Sequence, residues 1–122
     1  IVSTSSTAGL VGAPGAGHYT AGKHGVIGLT KTLALELAEY DVNVNAVCPT
    51  ALDSPGMQKY IEAYGPEMLE EMGELTGPMN VFEPGEMIEA KDISEAYMWL
   101  SSDAARYVTG IGLPVDAGMT AK

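Results

Sequence analysis

Tyr19 and Lys23 stand four residues apart at the head of a stretch with helical periodicity, so a phenol and an ammonium share one helix face about a turn apart. A phenol is a poor base at neutral pH, and a nearby ammonium favours its ionised form, which suits the pair to general acid/base work. Taken alone, Tyr-x-x-x-Lys is also what a solvated helix face produces. Its meaning rests on what stands around it. Thirteen residues upstream of Tyr19 lies Ser6, in the hydroxyl cluster Ser3, Thr4, Ser5, Ser6 and Thr7 that ends the apolar stub Ile1-Val2. At the C-terminal edge of a sheet such a hydroxyl can point into a cleft.

The elements that position these groups follow from periodicity and from turn residues. Gly9, Gly12, Pro14, Gly15 and Gly17 forbid regular structure, which makes 8–17 a loop. From His18 to Tyr40 the pattern is helical, with Val26, Leu29, Leu33 and Leu37 at intervals of three and four and Ile27, Ala34 and Leu35 widening the apolar face. A helix so apolar on several sides is buried or lies at a subunit contact. Val42, Val44, Ala46 and Val47, alternating with Asn43 and Asn45, read as a strand ended by Pro49. Met57–Leu75 has helical spacing through Tyr60, Ile61, Tyr64, Met68, Leu69 and Met72, inside a proline-rich segment. Asp92 with Glu95 reads as a capping box opening a helix whose buried face is Ile93, Ala96, Tyr97 and Leu100. Gly110–Asp116 is a last short strand. The order β-α-β-(αα)-α-β implies an α/β fold with a parallel sheet of about three strands and covering helices, too few for a complete doubly wound sheet.

Composition narrows the function classes. The 122 residues make one domain at most, and 46% hydrophobic content supplies a core. With 16 acidic against 6 basic residues the net charge is −10, which repels nucleic acid and anionic membrane surfaces. No apolar stretch reaches the roughly 18 residues that span a bilayer. The single Cys48, in an apolar run, is expected to be a small buried residue and suits a reducing cytoplasm. His18 and His24 flank the Tyr/Lys pair without a third ligand at metal spacing, so no metal site is expected.

Several segments together resemble the short-chain dehydrogenase/reductase family. Ile1-Val2-Ser3-Thr4-Ser5-Ser6-Thr7-Ala8-Gly9 is similar to the strand carrying the family's serine, and Tyr19-Thr20-Ala21-Gly22-Lys23-His24-Gly25-Val26 to its active-site helix. Val44-Asn45-Ala46-Val47-Cys48-Pro49 resembles the next strand, with Thr50 where the family has glycine, as in the carveol-dehydrogenase-like, mycofactocin-associated branch. Ser102–Gly110 and Leu113-Pro114-Val115-Asp116-Ala117-Gly118 resemble the closing turn and strand, Asp116 being structural. The resemblance implies residues 1–122 as the C-terminal, catalytic portion of a Rossmann-type domain, with a substrate-loop insertion at about 52–90 and the N-terminal half, with its dinucleotide fingerprint, absent.

It implies Tyr19 as general acid/base at an alcohol or carbonyl oxygen, and Ser6 as hydrogen-bond donor to that oxygen. Ser5 competes for the latter role, though the thirteen-residue spacing favours Ser6. Lys23 would activate Tyr19 and hold the nicotinamide ribose, while Pro49, Thr50, Leu52 and Ser54 would line the nicotinamide. The expected cofactor is NAD, with NADP open, and the expected substrate a small apolar secondary alcohol or ketone. Assembly as a homo-oligomer through helix 18–40 is expected. An inert chain that folds or assembles only with a partner half, or as an oligomer, is the alternative. A rival motif, Gly17-x-x-x-x-Gly22-Lys23-His24, nearly spells a phosphate-binding loop, but His24 lacks the hydroxyl that holds magnesium.

Overall fold

The computed structural model describes residues 1–121. Strand β2 (Asn45–Pro49) is central, and all five of its residues are buried. It pairs in parallel with β1 (Val2–Thr4), Val2 opposite Asn45, and with β5 (Gly112–Val115), Pro49 opposite Val115. Alternate β2 side chains serve opposite faces. Ala46 and Cys48 meet Ile27 of helix α1 (Gly17–Glu36), with Leu10 and Val26 packed alongside. Val47 meets Ile93 and Leu100 of helix α4 (Ala90–Leu100), joined by Val2, Leu113 and Tyr97. A strand buried on both sides is what a parallel sheet with a helix on each face requires. The α/β Rossmann-type portion with three parallel strands is thus as expected.

The strand begins at Asn45 rather than Val42, because Val42–Val44 is the approach and polar partners set the register. Asn45 is wholly buried; its Nδ2 donates to Val108 O at 2.7 Å and its Oδ1 accepts from Ile111 N at 3.2 Å. Asn43 Nδ2 reaches Arg106 O at 2.9 Å and Val108 O at 2.8 Å. Pro49 closes the strand where its missing N–H falls at the ladder's end. The closing strand is shorter than Gly110–Asp116, since Asp116 leaves it to bind Gly118 N at 3.1 Å and Thr120 N at 2.9 Å.

The helix expected over 18–40 ends as α1 at Glu36, followed by a 3₁₀ turn at Ala38–Tyr40 and left-handed Asp41. Its buried face is Ile27, Thr30 and Ala34; Leu29 and Leu35 are 58% and 81% exposed. The apolar pattern alone could not choose among the helix's faces, and the sheet took the one carrying Ile27, Thr30 and Ala34. A Cβ on Gly112 would stand 2.8 Å from Ile27 Cδ1, so the helix seats where the sheet carries no side chain.

The 52–90 segment has structure the sequence did not announce. Strands β3 (Leu52–Asp53) and β4 (Ile88–Glu89) form a two-stranded parallel ladder. Between them, the expected helical stretch is split into α2 (Pro55–Tyr64) and α3 (Glu67–Thr76) by Gly65, at φ +84°, and Pro66. The capping box of α4 sits three residues earlier than the Asp92/Glu95 reading. Glu89 is the N-cap, and Asp92 accepts its N–H at 3.3 Å, because the β3–β4 ladder keeps the chain extended through Glu89.

Gly9 lets the 3₁₀ turn Thr7–Gly9 press against α1. A Cβ there would lie 2.4 Å from Ser5 Oγ and 2.7 Å from Lys23 O, the latter helix backbone that cannot swing aside. Gly9→Ala is expected to lose about 1–3 kcal/mol of stability by overpacking, read as a lower urea midpoint; an unchanged midpoint would contradict this close approach.

Candidate active site

Because β1 and β2 run parallel, their C-terminal ends, Thr4 and Pro49, open onto the same edge of the sheet. The loop after β1 delivers the start of α1 to that edge. Lys23 is half-buried, and its Nζ donates to Thr4 O at 3.2 Å and stands 5.5 Å from the centre of the Tyr19 ring. Among the described residues it forms no ion pair. Tyr19 is 46% exposed and open to a reacting molecule.

The two candidate serines are placed differently. Ser5 is 2% exposed, and its Oγ donates to Lys23 O at 2.8 Å, tying the end of β1 to α1. Ser6 is half-buried and caps the 3₁₀ turn: its Oγ accepts from Ala8 N at 3.2 Å. A hydroxyl that accepts still has its own proton to give, and among the described residues Ser6 Oγ donates to nothing. Ser54 repeats the arrangement. It is the N-cap of α2, accepting from Met57 N at 3.2 Å with its O–H uncommitted among the described residues. Leu52, in β3, packs against the core. Thr50 is buried, and its hydroxyl is turned to Met79 O at 2.9 Å.

The structure brings Tyr19, Lys23 and the β1 end together and lines Pro49 to Ser54 along the neighbouring strand end. Gly17–Lys23 is helix rather than loop, which removes the phosphate-loop reading. His18 and His24 are exposed; His24 Nδ1 lies 3.0 Å from Thr20 O. Sequence reasoning missed the backbone of Thr4 as the seat of Lys23, and Tyr97, whose hydroxyl pairs with Thr4 Oγ1. A carbonyl carries no residue-type signal, and Tyr97 read only as part of a buried helix face. Tyr60 and Tyr64 on α2 have ring centres 4.6 Å apart and are exposed, as is Phe82.

A family model described as enoyl-(acyl carrier protein) reductase matches residues 1–120. The chain is 42% identical over 127 aligned positions to (−)-trans-carveol dehydrogenase of Rhodococcus erythropolis, covering 100% of this chain and 46% of that protein. It is 38% identical over 122 positions to 2,5-dichloro-2,5-cyclohexadiene-1,4-diol dehydrogenase of Sphingobium indicum, covering 99% and 46%. Among solved structures, carveol dehydrogenase from Mycobacterium avium in complex with NAD matches with a TM-score of 0.82 at 40% identity, over 100% of this chain and 46% of that one. The chain spans about half the length of the curated relatives it matches.

Under this edge lies Cys48, fully buried. Burial pushes its thiol pKa up. With the folded value above the unfolded one, the thiol's contribution to stability is intact below the ordinary thiol range and is lost as pH rises through the folded value. Folded protein should therefore resist iodoacetamide, and Cys48→Ala should flatten part of the alkaline fall in unfolding free energy. Labelling of the native protein at the rate of an open thiol would contradict the burial.

Proposed function

Because this chain belongs to the short-chain dehydrogenase/reductase family, we propose that it carries the catalytic residues of a reversible oxidation of a secondary alcohol to a ketone, with NAD as cofactor. The observation that carries the reading is Lys23 Nζ 5.5 Å from the Tyr19 ring centre and 3.2 Å from Thr4 O, at the sheet edge where Ser6, among the described residues, keeps an uncommitted O–H. In the oxidative direction Tyr19 Oη takes the alcohol proton, and in the reductive direction it returns it. Ser6 donates to the same oxygen and stabilises charge there. Lys23 keeps its ammonium beside the Tyr19 ring and would hold the ribose hydroxyls of the bound cofactor.

The residues present fit a nicotinamide. Ser54 offers a hydroxyl proton suited to a carboxamide oxygen, its oxygen already oriented by the Met57 N–H that it accepts. Leu52 offers its backbone, and Pro49 and the Thr50 backbone complete the wall. When bound, the nicotinamide supplies the two-electron acceptor. The Mycobacterium avium relative in complex with NAD favours NAD over NADP. Relatives named for carveol and for a chlorinated cyclohexadienediol, together with the exposed rings of Tyr60, Tyr64 and Phe82 on the 52–90 segment, favour an apolar cyclic alcohol. The unpaired thiol of Cys48 suits work in a reducing cytoplasm. Among the described residues no helix is long and apolar enough to cross a membrane.

In the protein encoded by the complete reading frame, Tyr19→Phe should lower turnover of a cyclic secondary alcohol at least about a thousandfold while NAD affinity changes less than about threefold. Preserved turnover would refute the assignment.

A second reading concerns assembly: the outer face of α1 seats against a second copy of the chain, and the isolated chain is inert without such a partner. The exposed Leu29 and Leu35 favour it. Leu29→Asp with Leu35→Glu should shift the species seen by light scattering from oligomer to monomer without changing the circular dichroism. A wild-type monomer would sink this reading.

A further inference from the structure

Thr50 holds the far end of the α2–α3 arm, where the chain leaves α3 at Met79. It is 7% exposed; its Oγ1 donates to Met79 O at 2.9 Å and lies 3.2 Å from Met119 Sδ. One hydroxyl has one proton, and a carbonyl is a better acceptor than a thioether, so Met79 is the principal partner. Met79 follows directly on α3 and Gly77-Pro78. Beyond it the chain is fixed: Asn80, 5% exposed, accepts from Phe82 N and Glu83 N at 3.0 Å each, and Val81 N donates to Ala117 O at 2.9 Å. The near end is fixed by the Ser54 cap and by the β3–β4 ladder. Between these anchors α2 buries no side chain, and Gly65 and Gly77, at φ +84° and +76°, mark the ends of α2 and α3. The arm is therefore positioned from its two ends more than from its own packing, and the far end is tied to Thr50, two residues before the near one begins.

We propose that Thr50 is a positioning residue: its hydroxyl ties the far end of the α2–α3 arm to the turn after β2, and so sets how closely the arm covers an apolar substrate. What the arm covers rests on the oxidoreductase reading; the tether does not. Thr50→Val removes the O–H and keeps the shape, and Thr50→Ser keeps the O–H. In the full-length protein without cofactor, hydrogen exchange of amides 79–83 should quicken about five- to tenfold in the valine variant and stay near wild type in the serine variant, as a net hydrogen bond of this kind implies. With NAD and carveol as probe substrate, KM for carveol should rise by a similar factor in the valine variant and stay near wild type in the serine variant. Unchanged exchange in the valine variant overturns the tether, as do equal effects of valine and serine. Faster exchange with an unchanged KM overturns the positioning role. Faster exchange in a protein whose wild type does not oxidise carveol leaves the tether standing and counts against the substrate reading instead. If the valine variant does not fold, Thr50→Ala is read in the same way.

Discussion

Every residue from Asn45 to Pro49 is shut off from water, and that constraint organises the rest of the chain. A strand buried on both faces has to find all its partners inside the protein. Its apolar side chains divide between the helices, small ones toward α1 and Val47 toward α4. Its one amide, Asn45, is satisfied by the chain that leads into β5, which holds β5 alongside. An unmet polar group here would cost about 1–3 kcal/mol, so strand pairing and polar satisfaction are one requirement. Because both neighbours run parallel to β2, the three strand ends open together, and the ammonium of Lys23 is seated against the end of β1 there.

At that edge the hydroxyls divide the work. Ser5 gives its proton to the backbone of Lys23 and becomes part of the frame. Ser6 and Ser54 instead accept from backbone N–H groups, which fixes each oxygen while leaving its proton for another molecule. Backbone amides thus orient donors without consuming them, and the ammonium of Lys23 is seated by a carbonyl, which neutralises none of its charge.

The sequence carried the parts that depend on local rules or on chemical type. Gly and Pro marked the loop, which the structure confines to 10–16 between a 3₁₀ turn and α1, the 3.6-residue period marked α1, and Tyr19, Lys23 and Ser6 stood out by spacing. What could not be read depended on partners distant in the chain. Nothing local tells which face of an all-round apolar helix meets the sheet, since the answer is the missing side chain of Gly112. Nor does composition reveal that Leu52–Asp53 pairs with Ile88–Glu89, a contact that moves the capping box from Asp92 to Glu89. The roles of Thr4 and Met79 are carried by carbonyl oxygens, which are the same in every residue.

The staple between Ser5 and Lys23 has a consequence for how this region can change. Ser6 stands two residues past the end of β1 and Tyr19 lies on α1, and both elements are located by β2, not by the residues that connect them. The exposed stretch from Val11 to Gly15 only has to bridge the gap. Lengthening a surface connection by a few residues costs little closure entropy. The thirteen-residue interval that draws the eye to this site is therefore a record of one loop's length, not a dimension the geometry demands. A chain with a longer bridge could keep the same serine, phenol and ammonium in place.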